Sequence, residues 1–480
     1  MVLYVTASVL SYVYLRPSAV RGSGATRTLA LETSGGAAPA DVAAHPRFFA
    51  GFLTAPVAAA AAILTVADVA AARFDQSAAA SLDPVVTAGG GLLRLESFSG
   101  CGGVYARLDI LPPGLDGDDV GHGTTNVDVN PPLRRALAVL GGLDPLHLTV
   151  GPDQLEVRTF DDRFVEKRVP LPTRWLRGFA EAQVLAAGLA LRADVPAGQA
   201  AALLRALPRP TSRSAARTTR WVVPTGGALR PASRPAPGAV CLPGVERLSV
   251  LRAVLRHATT VRLYAPADTD GQPAAVALEC RLPGMRLVLM LSPDAYRGFS
   301  GEGGVLNDLA AGPAAEDAAD LLAEFPAGAP RVTAAELSRQ AGLPADRVRR
   351  ALTVLGSAGQ IGYDLAEEAY FRRQLPWSAG AAEAYNPRLG AARALVADGA
   401  VRLDGADRLD GADRLDGADR LSGALALVGR GDQEHVVRTD EAGRLSCTCQ
   451  WWARYRGGRG PCRHVLAVRM VQDSTSEETP

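Results

Sequence analysis

Near its C-terminus the chain reads Leu445-Ser446-Cys447-Thr448-Cys449 and, twelve residues later, Cys462-Arg463-His464-Val465-Leu466. Zinc takes four tetrahedral ligands from thiolates and imidazoles, and these two short runs supply that number. On a strand or tight turn, positions i and i+2 point to one side, so Cys447 and Cys449 can face one ion. A helix would turn them apart, and Pro461 places Cys462 in a loop with His464 in the first turn of a helix over 463–471. Glu434 to Thr439 and Arg444 to Cys449 alternate as two strands around a turn at 440–443, while Val465, Leu466, Val468 and Val471 give the helix an apolar side. The expected unit is ββα over 426–472, with Cys447, Cys449, Cys462 and His464 as metal ligands. Four protein ligands leave no position for water, so the metal is structural rather than catalytic. A unit this small has little core, and structural zinc supplies roughly 10 to 16 kcal/mol, so folding should require Zn2+. The competing reading is chance spacing around buried, inert thiols.

The residues around the ligands carry a resemblance. Trp451-Trp452-Ala453 after the first pair, Gly460-Pro461 before the second and His464-Val465-Leu466-Ala467 after it resemble the SWIM zinc finger. Over the whole chain, Arg16 to Val20 and Gly121 to Asn130 are similar to a group of SWIM proteins from GC-rich, actinobacterial-type bacteria. The resemblance implies zinc as cofactor and nucleic acid or protein as partner. From Arg444 to Met470 there are six arginines and no acid. Arg454, Arg456, Arg459 and Arg463, interleaved with Trp451 and Trp452, are therefore the candidate nucleic-acid contacts, through phosphate attraction and base stacking. Against this, one tryptophan can instead plug the small core. Arginine counts are also inflated throughout, since Lys167 is the single lysine.

Working towards the N-terminus, residues 402–425 repeat Arg-Leu-Asp-Gly-Ala-Asp three times and then degenerately, which reads as a tolerated, hydrated low-complexity insertion. Calcium-binding solenoids use a longer, glycine-rich repeat. A helical connector over 377–401 precedes it. Residues 331–376 resemble a winged helix-turn-helix: Thr333 caps one helix, Gly342 breaks it, and Pro344 opens a second with Val348, Ala351, Leu352 and Leu355 on one face. A hairpin through Gly359 to Asp364 and Ala369 to Phe371 follows. Arg347, Arg349 and Arg350 on the second helix could meet DNA, or the module could bind only protein. Residues 301–330 read as a linker with one short helix, and 473–480 as a disordered tail.

Residues 1–300 read as mixed α+β, with a possible subdomain boundary near 210 in Pro- and Arg-rich sequence. Expected strands include Leu92 to Glu96, Tyr105 to Ile110, Leu146 to Val150, Leu155 to Thr159, Phe164 to Val169, Val261 to Tyr264, Ala274 to Cys280 and Met285 to Leu291. Helices are expected over Pro132 to Leu140, Arg174 to Leu191 and Val250 to His257.

The 480 residues carry a net charge of +1, with 48% hydrophobic and 21% charged residues, so the global balance favours no polyanionic or polycationic partner. Six cysteines are too few for a disulfide scaffold and suit a reducing, cytoplasmic compartment. Met1 to Leu15 lacks the basic flank of a signal peptide, and Ala55 to Ala72 reads as a partly buried helix rather than a membrane span, because Asp68 interrupts it. One enzymatic alternative stands: Cys101 between glycines with His122 as base, in an acyl-transfer site. Gly298 to Gly304 lacks the Gly-Lys-Ser/Thr ending of a phosphate loop. His45, His147 and His257 stand alone. With no catalytic signature beyond that pair, the sequence points to a non-enzymatic zinc protein.

Overall fold

The computed structural model describes residues 19–21, 28–30, 47–72, 84–169, 171, 173–207, 219–267, 273–293, 298–299, 304–309, 318–319, 322, 331–373, 375, 386–403, 424–430, 434–440, 444–457 and 459–477. Residues 404–423 of the hexapeptide repeat and most of the 301–330 linker lie outside them.

An antiparallel eight-stranded sheet organises the N-terminal region. Its order is Ala190–Pro196, Thr260–Ala265, Val276–Leu282, Met285–Leu291, Val104–Ile110, Leu92–Phe98, Val85–Gly89 and Gly123–Asn126. A five-stranded sheet runs Arg163–Lys167, Gln154–Arg158, His147–Val150, Phe49–Leu53 and Leu115–Gly117. The inner faces of both sheets and the alanine-rich helix Pro56–Ala71 share one apolar core. Small side chains let that helix lie close on the Leu92–Phe98 and Val104–Ile110 strands, with Ala59, Ala62, Val66 and Val69 fully buried. Among the described residues no helix is long and apolar enough to cross a membrane.

Most expected strands are present to within two residues at either end, and the 190s differ. The expected helix Arg174 to Leu191 stops at Ala187, and strand Ala190–Pro196 begins after Gly188. That strand pairs with Thr260–Ala265, so chain on both sides of residue 210 belongs to one sheet.

The second face of the large sheet is unusual. Period-two alternation places Leu93, Leu95, Leu108 and Leu287 on the core side and Arg94, Glu96, Arg107, Asp109 and Arg286 on the other. Those charges are nevertheless buried. Helix Thr173–Ala187 covers part of this face through Trp175, Leu176 and Phe179. The rest is covered by the hairpin Ile361–Asp364 and Ala369–Arg372.

The helices before that hairpin are as expected: Thr333 forms a capping box with Glu336 over Ala334–Ala341, Gly342 takes the left-handed conformation at φ 66, and Ala345–Ser357 follows. The hairpin then reaches back into the sheet. Asp364 and Asp109 sit among the guanidinium groups of Arg94, Arg107 and Arg286, with Arg107 Nη2 at 3.1 Å from Asp109 and 3.2 Å from Asp364. Arg373 donates to both oxygens of Glu96 at 2.9 Å and lies over the Phe179 ring. Arg94 lies 3.7 Å from the Phe371 ring centroid.

Candidate metal centre

The zinc-finger region is a four-stranded antiparallel sheet, Val401–Leu403, Ala424–Val428, His435–Thr439 and Leu445–Cys447, flanked by helices Pro387–Ala397, Gln450–Tyr455 and Arg463–Glu477. The expected ββα unit is its C-terminal half. The last helix continues to Glu477, past the boundary expected at 472.

Each ligand position has a local cause. Cys447 ends the last strand, where Val437 pairs with it. Cys449 caps helix Gln450–Tyr455, its sulfur accepting from the Trp452 amide at 3.4 Å. Cys462 follows buried Pro461 and accepts from the Val465 amide at 3.5 Å as helix Arg463–Glu477 begins. His464 stands in that helix's first turn and turns Nδ1 to within 3.6 Å of the Cys447 sulfur.

The four ligand atoms lie within 4.8 Å of one another, and all four residues are buried. A tetrahedral zinc with Zn–S bonds near 2.3 Å spaces its sulfurs by about 3.8 Å, so the cage fits that ion. Electrostatics agree. Hydrogen bonding to the Cys449 sulfur holds the Cys447 thiol far above its ordinary range, while accepting from Cys447 and Cys462 draws Cys449 far below it. Three sulfurs this close repel one another as thiolates. A divalent ion is what allows the other thiols to ionise.

The neighbouring His435 stacks on His464 with ring centroids 4.4 Å apart and stands outside the ligand set. Burial depresses its pKa, and the facing His464 adds to the effect.

These features fit a buried, four-ligand zinc centre. Residues 435–468 match the SWIM zinc finger family model. No curated protein matches the chain. Among solved structures, the chain is similar to proliferating cellular nuclear antigen from Entamoeba histolytica at 11% identity and TM-score 0.33, covering 51% of this chain and 98% of that one. It is also similar to the PCNA2–PCNA3 complex from Sulfolobus tokodaii at 10% identity and TM-score 0.36, over 51% of this chain and 99% of that one.

The expected nucleic-acid contacts divide into two groups. Arg454, Arg456 and Arg463 are exposed and make no ion pair with a carboxylate among the described residues. Arg463 does use its Nε to reach the outer nitrogen of His464 at 3.2 Å. Arg459, Trp451 and Trp452 are half-buried and already engaged: Arg459 donates to the Tyr455 hydroxyl at 3.3 Å, and Trp451 lies 4.5 Å from Tyr455 and under Arg388. Trp452 folds towards Gly457, which takes the left-handed conformation at φ 78 and whose missing side chain leaves room for the indole.

Cys101 and His122 do not meet. Cys101 lies in the turn after Phe98, where Phe299 donates its amide to Gly102 at 2.7 Å. His122 lies beside Gly89, which pairs with Leu92 at the other end of the same strand. Seven residues of strand separate the two ends by about 20 Å. Of the helix-turn-helix arginines, Arg349 pairs with buried Asp308 at 2.8 Å, and Arg347 and Arg350 are half-buried.

Sequence reasoning missed helix Gln450–Tyr455 and Arg388. The helix had a readable signal, since Cys449 is followed by seven residues free of Gly and Pro. Arg388 had none, because its role depends on a contact with residues 459–461.

Proposed function

We propose that this is a non-enzymatic, multidomain zinc protein of a reducing compartment whose SWIM finger binds nucleic acid through its arginine rim. The observation that supports this most is the set of exposed guanidinium groups of Arg454, Arg456 and Arg463, beside a metal centre that fixes their backbone. No acid falls between Arg444 and Met470 to neutralise them. Stacking contributes less than the sequence suggests, because Trp451 is already occupied by Arg388 and Tyr455. Phosphate attraction then dominates the binding, and it predicts little sequence preference.

We read the 331–376 segment as a structural and protein-contacting module rather than a DNA reader. Its second helix is packed between helices Thr173–Ala187 and Gly304–Leu309, and its hairpin is spent on the large sheet.

Fluorescence anisotropy with labelled single-stranded RNA, single-stranded DNA and duplex DNA tests the proposal. Binding should weaken with salt, and the Arg454→Ala/Arg456→Ala/Arg463→Ala triple variant should reduce the log–log salt slope by about 2 to 3. Absence of binding at low salt with zinc loaded would overturn the nucleic-acid reading in favour of a protein partner.

A further inference from the structure

The helix Pro387–Ala397 precedes the matched finger by some distance in sequence, yet it is built into the metal centre. Leu389 and Ala392 are buried in the same core as Cys447, Cys449 and Cys462, and the helix packs along Arg463–Glu477. From its first turn Arg388 crosses to the loop between the two ligand pairs. One Nη1 donates to two carbonyls there, Arg459 at 2.9 Å and Pro461 at 2.7 Å. The same guanidinium lies 4.3 Å from the Trp451 ring centroid.

This geometry joins three pieces that zinc must find in place together. Pro461 is the residue before Cys462, Trp451 sits on the helix that Cys449 caps, and Arg388 holds both from outside. The loop carries three glycines, Gly457, Gly458 and Gly460, and has little local stiffness of its own. A charge-assisted fork to two carbonyls supplies that stiffness from a different element.

We propose that Arg388 is a positioning residue for the zinc site, presetting the Cys462 loop, and that the zinc-dependent folding unit therefore begins at helix Pro387–Ala397. The proposal rests on the zinc reading above. Outer residues that orient metal ligands typically change metal affinity by about 10- to 100-fold. Loss of Arg388 should act through the loop, leaving the strands of the finger in place.

The test uses the full chain, reduced and zinc-loaded, with chelator competition for zinc affinity and hydrogen exchange for local opening. Arg388→Ala should weaken zinc by about 10- to 100-fold and speed exchange at the Gly460 and Cys462 amides, while Ala426, Val428 and Val437 stay protected. Arg388→Lys, which keeps the cation over Trp451 but loses the planar fork, should recover part of the affinity. Arg444→Ala, which removes an equal charge from the exposed turn of the same finger, should bind zinc as wild type does. A wild-type chain that holds no stoichiometric zinc sinks the zinc reading itself. A wild type that holds zinc, with Arg388→Ala within twofold of it, overturns the role of Arg388 alone. Exchange that rises evenly across the finger in Arg388→Ala also overturns it, since that marks general destabilisation.

Discussion

Replacing Asp364 by Asn removes one of three buried negative charges, Glu96, Asp109 and Asp364, that face four buried guanidinium groups, Arg94, Arg107, Arg286 and Arg373. The side chain keeps its volume, and its oxygen can still accept from the Ala366 and Glu367 amides, now at 3.1 and 3.3 Å. What is lost is charge. Arg107 and Arg94 would then depend on Asp109, shared with Arg286, which keeps Glu367 at 3.0 Å on its outer side. Breaking a buried pair by removing one partner typically costs about 3 to 5 kcal/mol, because the stranded ion remains desolvated. That corresponds to more than about 100-fold in the equilibrium for lifting the hairpin off the sheet. Hydrogen exchange at the Val332 and Tyr370 amides, which pair with each other at the base of the module at 3.0 and 2.8 Å, reports the opening of the module that follows once its hairpin leaves the sheet. Asp364→Asn should speed both by about 100-fold, and raising salt from 0.1 to 1 M should restore little of the difference, since buried charges are weakly screened. Exchange within threefold of wild type would refute the claim that the charges hold the hairpin.

Acid should act on the same layer. Burial alone would raise the Asp109 pKa, but Arg107, Arg286 and Arg94 hold it below its ordinary value of 3.8. Its contribution is therefore complete above pH 4 and lost as pH falls through the lower folded value, which titration of hairpin exchange from pH 5 to pH 2 would follow. Zinc removal should separate the two halves of the molecule. Chelation, or Cys447→Ser, is expected to abolish the one bound zinc and the dispersion of the finger's NMR signals while signals of the large sheet persist. Thiol labelling should be selective in the zinc-loaded chain. Burial raises the Cys241 thiol to about 11 and, with Glu279, the Cys280 thiol to about 12, so iodoacetamide at pH 8 should modify half-exposed Cys101 well before either.

The metal centre was legible because its information is local. Two pairs of ligands, each two residues apart, meet across one strand end and one helix start, and each half states its own geometry. The strands of the large sheet were legible for the same reason, and Met285–Leu291 fell where alternation placed it. What alternation could not report is which face stays wet. Arg94, Glu96, Arg107 and Asp109 carry the pattern of a solvent-facing row, and the residues that bury them, Asp364, Phe371 and Arg373, lie some 250 positions later. The setting of the second helix was hidden in the same way: Arg349 looks free until Asp308 is placed beside it. Whether Cys101 and His122 meet was not legible at all, since it depends on how strand Leu92–Phe98 spans the sheet between them.

The charged face of the large sheet also bears on how the chain is made. Its last strand ends at Leu291 and the hairpin that seals it begins at Ile361, roughly 70 residues later, or about 4 to 14 s of synthesis at ordinary ribosomal rates. During that interval an apolar face would invite other nascent chains. A row of arginines and carboxylates can wait in water, each ion hydrated, until its own hairpin emerges to replace the solvent.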